Sequence, residues 1–333
     1  MTEPELLARV EGALGHLTLN RPRNLNALTP TMISGLHAAL LAWDTDPAVA
    51  AVLIDGAGDR GLCAGGDIKL LYDGIRARSL VPLNFWSHEY EMNAAIADLG
   101  KPYVAWMDGI CFGGGLGVSV HGSVRIVTER SQLAMPETAI GLSPDVGVLY
   151  WLARAPGGLG SYAALTGSRF NAGDAIAAGL ADICYPAAAW ADVVAELRSG
   201  RLPDGARSIE VAPSISDDDR SWIDDCFTAD SVREIGDRLA ARPEPGAAAA
   251  LATLRAMSPT AVMVTFAAIR RAARLARITD VLAQDLKVSM AFTRHPDLVE
   301  GIRAAVIDKD RTPRWDPARW EDVTEADVES YFE

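Results

Sequence analysis

The sequence predicts an α/β core over residues 1–195, a linker over residues 196–245 and a helical region over residues 246–333. Two observations support this division. Strand-like and helix-like segments alternate through the first part, and few strand-like runs follow it. The 333 residues are 49% hydrophobic and 23% charged, which is typical of a globular protein. A chain of this length buries a sizeable core without disulfide bonds or metal ions.

The first predicted elements are a strand, a helix and a second strand. Residues 16–19 form a short β-prone run that Asn20-Arg21-Pro22 closes. Residues 30–43 carry apolar side chains at helical spacing, and Thr29 is the predicted N-cap before a proline at the first helical position. Residues 49–54 form a continuous apolar run, which is typical of a buried strand.

The same alternation continues as far as residue 185. Asn171 is predicted to cap a short helix that Gly179 ends. A helix is also predicted at residues 81–99, and strands at residues 103–107, 124–128, 133–135 and 181–185. Repeated strands and helices of this kind predict a single α/β core.

The chain changes character after this core. Residues 200–219 are rich in Pro, Ser and Asp and are predicted to be a loop or linker. Residues 247–256 are rich in alanine, and residues 262–278 carry apolar side chains at helical spacing. The second stretch has an arginine face, for which a solvated surface and a binding patch are the two alternatives. This face consists of Arg270, Arg271, Arg274 and Arg277.

The charge and the cysteines exclude several classes of protein. The net charge of −13 argues against nucleic acid and anionic membrane surfaces as partners. The four cysteines lack zinc-ligand or CxxC spacing, so we expect no metal site and a reducing compartment. The N-terminal segment is acidic and lacks the apolar core of a signal peptide, and no run of ~20 apolar residues is present. We therefore expect a cytoplasmic protein.

Two glycine-rich segments follow predicted strands. The first, at residues 61–68, reads GLCAGGDI, and the second, at residues 108–117, reads DGICFGGGLG. The second lacks the Lys-Ser/Thr of a P-loop and is not GxGxxG in register. Two backbone N–H groups, one from each segment, would form an oxyanion hole, which stabilises negative charge on a carbonyl oxygen. The alternative for each segment is an ordinary tight turn. A nucleophilic role for Cys63 would need a base to activate the thiol, and no evident base lies near it in the sequence.

A third segment, at residues 134–147, contains two carboxylates eight residues apart, Glu137 and Asp145. Apolar residues, prolines and glycines surround them. Burial raises the pKa of a carboxyl group, and a second carboxylate nearby raises it further, so such a pair can divide acid and base roles. The alternative is structural: Asp145 would cap a helix and Glu137 would pair with an arginine.

Together these segments resemble the crotonase (enoyl-CoA hydratase/isomerase) superfamily. The resemblance runs in order through LTLNRPRNLNAL, GLCAGGDI, KPYVAWMDGICFGGGLG and MPETAIGLSPDVG. It implies a crotonase-like spiral of ββα units, an acyl-CoA substrate, and an oxyanion hole formed by the N–H groups of Cys63 and Gly114. It further implies CoA contacts at Arg23, Ala27, Ala64, Gly65, Asp67 and Ile68, with Lys69 as a weaker candidate. Apart from CoA within the substrate, it implies no cofactor.

Within this superfamily the chain resembles the thioester hydrolases more than the hydratases. Gly117 stands where hydratases have a catalytic glutamate, and Asp145 stands where they have glycine. His121-Gly122, the segment Trp86–Tyr90 with Glu89, and the tail at residues 301–317 also resemble the hydrolases. The resemblance implies hydrolysis of a short, branched β-hydroxyacyl-CoA.

In that reaction Glu137 would activate water or attack the thioester, while Asp145 and Glu89 would orient the acyl hydroxyl group. Two other functions remain open from the sequence, namely an enoyl-CoA hydratase or isomerase and a non-catalytic acyl-CoA-binding protein. Superfamily members often form trimers or hexamers through C-terminal helices. A homo-oligomer and a different assembly both stay open for this chain, because of its hydrolase-like tail and the insertion near residues 200–245.

Overall fold

The structure is a computed structural model, and it describes residues 3–333. Nine strands in the described residues form two sheets. A six-stranded sheet has the order β1-β2-β3-β5-β7-β9, and a three-stranded sheet has the order β4-β6-β8. The strands are β1 Leu6–Glu11, β2 Leu14–Leu19, β3 Ala51–Gly56, β4 Gly61–Cys63, β5 Tyr103–Met107, β6 Ile110–Phe112, β7 Val124–Thr128, β8 Gln132–Ala134 and β9 Ile183–Tyr185.

The strands alternate between the two sheets along the chain. The first strand of each successive pair (β3, β5, β7) lies in the large sheet, and the second (β4, β6, β8) lies in the small one. Apart from the antiparallel β1–β2 hairpin, every strand pair is parallel. A parallel neighbour requires a crossover connection, so the chain advances by one ββα turn at a time.

Helices make up most of the remaining chain. They are α1 Pro30–Asp44, α2 Ile68–Arg76, α3 Val81–Ala97, α4 Gly114–Gly117, α5 Val148–Leu152, α6 Leu159–Thr166, α7 Ala172–Ala177, α8 Trp190–Arg198, α9 Asp217–Phe227, α10 Val232–Ala240, α11 Pro245–Ala256, α12 Pro259–Ala272, α13 Ile278–Phe292, α14 Pro296–Ile302 and α15 Glu325–Glu329. Short 3₁₀ helices span Pro22–Asn24, Glu137–Ile140, Ala187–Ala189 and Trp320–Asp322, and a π-helix spans Arg303–Ile307.

The predicted caps of two helices are confirmed. The Thr29 hydroxyl accepts a hydrogen bond from the Met32 amide, and Pro30 occupies the first position of α1. Asn171 caps α7 in a reciprocal capping box with Asp174, and Gly179 follows the helix in the left-handed region.

The chain divides into two compact units, each of which gathers segments distant in sequence. The first comprises residues up to 66, 88–134 and 170–214, and the second comprises residues 67–87, 135–169 and 215–333. In the first unit, α8 packs on the large sheet through Val193 and Leu197, which lie with Leu14, Leu53 and Val104 in one core. In the second unit, α9, α10 and α11 form a core with Leu165 and Val262.

These units differ from the sequential division predicted at residues 195 and 245. The stretch predicted as a linker contains α9 and α10, whose Trp222, Phe227 and Ile235 are buried in the core of the second unit. Acidic residues in the first turn stabilise a helix through its dipole, and Ser216 caps α9 ahead of three aspartates. The loop predicted at residues 200–219 is irregular as far as Ser216, and only its last three residues belong to α9.

The helical stretch predicted over residues 262–278 ends early, at Ala272. Arg154 donates hydrogen bonds to the carbonyl oxygens of Ala272 and Leu275, which satisfies acceptors at this helix end. The arginine face is divided among ion pairs: Arg270 with Asp230, Arg271 with Glu329 and Arg277 with Asp280. The structure thus favours a solvated, paired surface over a binding patch for these three arginines.

Among the described residues, no single helix is long and apolar enough to cross a bilayer. Helices α11 and α12 satisfy the length and composition together, as a pair bent by 110°.

Candidate active site

The two glycine-rich segments meet in the first unit because their strands are neighbours. Strand β4 pairs in parallel with β6, which places Cys63 beside Cys111. The carboxyl ends of parallel strands lie at the same edge of a sheet, so the residues that follow both strands emerge together. Gly114 opens α4 there, and its N–H group has no acceptor within that helix.

The approach of the two segments is too close for a side chain. A β-carbon added to Gly115 would overlap the carbonyl oxygen of Cys63. A β-carbon added to Gly65 would meet the Gly114 nitrogen at an ordinary contact distance of 3.8 Å, but the φ of +106° at this position favours glycine. The two backbones therefore approach each other this closely only because glycine occupies positions 65 and 115.

Glu89 lies beside this pair of segments. Its carboxylate is buried, and Oε1 would stand 2.8 Å from a β-carbon on Gly114. The charge of Glu89 also contributes to raising the pKa of the Cys63 thiol, although burial is the larger cause. The structure thus brings together Cys63, Gly114 and Glu89, which the sequence offered from three separate motifs.

The Cys63 thiol is fully buried, and its pKa is raised far above the ordinary value by desolvation. A thiol that stays protonated is a poor nucleophile. Its sulfur instead accepts a hydrogen bond from the Gly65 amide at 3.4 Å. This environment favours the backbone amide, not the sulfur, as the reactive contact of Cys63.

The segment that contains Arg23 and Ala27 is tied to the first glycine-rich segment by backbone hydrogen bonds. The Ala64 amide donates to the Leu25 carbonyl at 3.0 Å, and the Leu28 amide donates to the Gly65 carbonyl at 2.9 Å. Because these bonds join residues far apart in sequence, Ala27, Ala64 and Gly65 lie together in the first unit.

Asn26 holds this junction, and the sequence reasoning missed it. Its side chain is buried and donates from Nδ2 to the carbonyls of Ala57 and Gly61, each at 3.0 Å. Its Oδ1 accepts from the Arg21 amide at 2.9 Å, and its φ of +55° lies in the left-handed region. An asparagine between two apolar residues in NLNAL was the available signal, since Asn tolerates this conformation better than most residues.

The two predicted cations differ in their surroundings. Arg23 is exposed, and no ion-pair partner for its guanidinium is recorded in the described part of the chain. Lys69 donates to Asp73 at 2.8 Å, one turn along α2, so its charge is already paired. Asp67 and Ile68 lie at the start of α2 in the second unit. The structure therefore favours Arg23 over Lys69 as the cation available to an anion.

Glu137 begins a 3₁₀ helix in the second unit and is buried. Desolvation raises the pKa of this carboxyl well above its usual range, and the charge of Asp145 raises it further. No hydrogen-bond partner for Oε2 is found among the described residues. The charge of Asp145 thus acts on the Glu137 carboxyl, and Oε2 has no arginine partner among residues 3–333.

The 3₁₀ helix is held from two sides. A β-carbon on Gly141 would overlap the backbone of Asp297 in α14, and one on Gly301 would overlap the carbonyl of Ile140. The Ser258 amide donates to the carbonyl of Thr138 at 3.1 Å. This close packing fixes the backbone that presents Glu137.

Asp145 is also buried, and a third carboxylate lies near it. Asp285, on α13, accepts a hydrogen bond from the Gly147 amide at 2.8 Å. Burial raises the pKa of Asp285 well above the ordinary value, and the charge of Asp145 adds to the increase. Asp285 lies 138 residues from Gly147, so no local sequence signal connects it with this segment.

No group of three or more His, Cys, Asp or Glu side chains within residues 3–333 is arranged to hold a metal ion.

The alternation of strands between two sheets, the apposed glycine-rich segments and the buried carboxylates define a member of a known class. A family model described as enoyl-CoA hydratase/isomerase matches residues 14–332, and the chain belongs to that family. It is 40% identical to the mitochondrial 3-hydroxyisobutyryl-CoA hydrolase of Mus musculus, over 98% of this chain and 88% of that protein. The Homo sapiens enzyme of the same name is 38% identical over the same shares of each chain.

Solved structures of related proteins share the fold. A carnitinyl-CoA dehydratase from Mycobacterium thermoresistibile is 44% identical, with a TM-score of 0.94 over 99% of this chain and 97% of that one. An enoyl-CoA hydratase from Rhodobacter sphaeroides is 42% identical, with a TM-score of 0.95 over the same shares. The predicted crotonase-like spiral of ββα units with a helical C-terminal region is confirmed.

Proposed function

We propose that this protein hydrolyses the thioester of 3-hydroxyisobutyryl-CoA, a short and branched β-hydroxyacyl-CoA, to the free 3-hydroxy acid and CoA. The observation that carries the proposal is the buried Glu137, whose proton affinity is raised by burial and by Asp145. Gly117, which has no side chain, stands where a hydratase would have its second catalytic carboxylate. The full-length similarity to proteins named 3-hydroxyisobutyryl-CoA hydrolase supports this substrate.

In the proposed reaction the thioester oxygen accepts hydrogen bonds from the backbone N–H groups of Cys63 and Gly114. These donors stabilise the negative charge that develops when the carbonyl carbon becomes tetrahedral. Loss of one such donor typically reduces the rate by about 10²–10³-fold. The thiolate of CoA then leaves and takes up a proton as the tetrahedral species collapses.

Glu137 supplies the attacking oxygen by one of two routes. As a general base it removes a proton from water, which adds to the carbonyl carbon. As a nucleophile it displaces CoA to form a mixed anhydride, which water then hydrolyses. A pKa raised by burial and by the Asp145 charge makes the Glu137 carboxylate a stronger proton acceptor, which supports the first route. Asp145 and Glu89 bind the hydroxyl group of the acyl chain, and Asp145 assists proton transfer.

The CoA part of the substrate is an anion, whereas the protein has a net charge of −13. Binding therefore relies on local groups: the exposed Arg23 for a phosphate, and the segments containing Ala27, Ala64, Gly65, Asp67 and Ile68 for the remainder. The proposed reaction needs no cofactor, nucleic acid or membrane. All four cysteines are free and buried, which is consistent with a reducing compartment such as the cytoplasm.

A hydratase is the second candidate, because the two solved structures of 42–44% identity are named a dehydratase and a hydratase. One assay separates the two functions. The protein is incubated with 3-hydroxyisobutyryl-CoA and with crotonyl-CoA, and free thiol and enoyl absorbance are followed separately.

Thiol release from 3-hydroxyisobutyryl-CoA, without loss of enoyl absorbance from crotonyl-CoA, is the expected result. Loss of enoyl absorbance without thiol release would identify a hydratase and overturn the proposal. Absence of both signals, together with measurable binding of either thioester, would identify a binding protein.

A further inference from the structure

The turn that carries Asp145 has an unusual backbone. The Val148 amide donates to the Asp145 carbonyl at 3.0 Å, and the two residues between them have φ values of +51° (Val146) and +75° (Gly147). This is the φ signature of a type I′ turn, whose central positions favour glycine and asparagine. Val146 is β-branched and fully buried, and such residues rarely adopt positive φ. Backbone of this kind persists only where the surrounding structure holds it.

Asp285 provides such a restraint. Its Oδ2 accepts a hydrogen bond from the Gly147 amide, the second central residue of the turn, at 2.8 Å. Gly147 is also the N-cap of α5, so its N–H group has no acceptor within that helix. Asp285 lies in the middle of the 15-residue helix α13, which gives the restraint a rigid base.

Asp285 also adds a third carboxylate to the pair formed by Glu137 and Asp145. The charge of Asp145 acts on both of the other two, and burial isolates all three from water. Like charges in a buried site oppose one another, so ionisation of one carboxyl disfavours ionisation of its neighbour. Any negative charge on Asp285 therefore competes with the charge on Asp145.

Charged groups on the elements around α13 have other partners. On α14, Asp297 accepts from the Ser258 hydroxyl and the Asp316 amide, and Glu300 pairs with Arg303. Beyond α5, Arg154 donates to backbone carbonyls. The α12 arginines Arg270 and Arg271 pair with Asp230 and Glu329, and on α13 itself Lys287 donates to the Phe332 carbonyl. Within residues 3–333, burial and the Asp145 charge raise the pKa of Asp285, and the hydrogen bond from the Gly147 amide lowers it.

We propose that Asp285 is a positioning residue of the active site, which fixes the turn carrying Asp145 and competes with Asp145 for negative charge. This proposal rests on the proposed thioester hydrolysis for its kinetic part. It does not rest on that function for its structural part, the restraint on the Gly147 amide. The two parts are tested by separate measurements.

The kinetic test compares Asp285→Asn and Asp285→Ala with Asp280→Asn, a control at the first turn of the same helix. Thiol release from 3-hydroxyisobutyryl-CoA is measured from pH 5 to pH 9. Asp285→Ala removes the acceptor, and we expect kcat to fall by more than tenfold. Asp285→Asn retains an oxygen acceptor, so it restores most of kcat. Asparagine cannot ionise, so it no longer opposes the negative charge on Asp145. The acid limb of the kcat/KM profile of Asp285→Asn therefore moves to lower pH, by on the order of 0.5–1 unit.

The structural test is hydrogen exchange at the Gly147 amide, which needs no substrate. We expect protection in the wild type and in Asp285→Asn, and faster exchange in Asp285→Ala with the global stability measured in parallel. Equal protection in all three proteins would overturn the restraint. An unshifted acid limb in Asp285→Asn would overturn the competition for charge. Protection lost as expected in a protein that releases no thiol would contradict the proposed function and leave the restraint standing.

Discussion

The carboxylate of Glu89 lies directly against the α-carbon of Gly114. A β-carbon on Gly114 would stand 2.8 Å from Glu89 Oε1 and 3.1 Å from Leu28 Cδ1. Any side chain at position 114 must therefore displace Glu89, which is itself buried. The relationship joins a backbone N–H group proposed to bind the thioester oxygen to a carboxylate proposed to bind the acyl hydroxyl.

This contact predicts different effects for two neighbouring glycines. Gly114→Ala pushes against the ends of two side chains, so we expect a small loss of stability and a fall in kcat/KM of about 10²-fold. Gly115→Ala meets the Cys63 backbone, which cannot rotate away, so we expect a loss of about 1–3 kcal/mol. Denaturant unfolding and thiol release measure both effects. A greater loss of stability in Gly114→Ala than in Gly115→Ala would contradict this interpretation.

Replacement of Glu137 by glutamine tests the proposed catalytic role. Glutamine has nearly the same shape but neither accepts a proton nor forms an anhydride, so we expect thiol release to fall by about 10²–10⁴-fold. The affinity for a non-hydrolysable acyl-CoA, measured by calorimetry, stays close to that of the wild type. Glu321→Gln, at an exposed residue of the tail, is the matched control. Full activity in Glu137→Gln would remove Glu137 from the mechanism.

The same substitution has a pH-dependent effect on stability. The pKa of Glu137 is higher in the folded state than its ordinary value of 4.5, so the folded protein binds this proton more tightly than the unfolded chain. Wild-type stability therefore falls, through this group, as the pH rises from about 4.5 through the folded-state pKa. Glutamine does not titrate, so Glu137→Gln does not lose this stability. The loss in the wild type is about 1.4 kcal/mol for each unit by which the pKa is raised.

We therefore expect the stability of Glu137→Gln relative to the wild type to increase between pH 4.5 and pH 8. Urea unfolding at a series of pH values measures this difference, with Glu321→Gln, at an exposed residue, as the control. A difference for Glu137→Gln that does not change with pH would show that burial does not raise this pKa.

The hydrogen bonds of the Asn26 side chain predict that its replacement lowers the stability of the protein. Asn26→Ala leaves the carbonyls of Ala57 and Gly61 without their side-chain donor, and we expect a loss of about 2–4 kcal/mol in the free energy of unfolding. Asn24→Ala, at an exposed position two residues earlier, is the control and should change stability by less than about 0.5 kcal/mol. A similar effect in both variants would refute the role assigned to Asn26.

Local patterns in the sequence predicted most of the core elements. Helix α1 with its Thr29 cap, helix α7 with its Asn171 cap, and strands β5 and β7 all follow from spacing and capping signals within a few residues. The early end of α12 could not be predicted in this way, because the group that binds the carbonyls of Ala272 and Leu275 is Arg154, more than a hundred residues away. The stretch that contains α9 and α10 was predicted as a linker, because its burial in the second unit depends on partners elsewhere in the chain.

The sequence by itself determined the family and the identity of the chemically capable residues, since both depend on residue types in a fixed order. Glu137, Asp145, Glu89 and the two glycine-rich segments could all be named in this way. Only the tertiary structure decided what surrounds them: that Glu89 lies against Gly114, that Asn26 ties two segments, and that Asp285 restrains the turn after Asp145. The physical reason is that burial, charge coupling and long-range hydrogen bonds depend on distance in space, which the order of residues along the chain does not state.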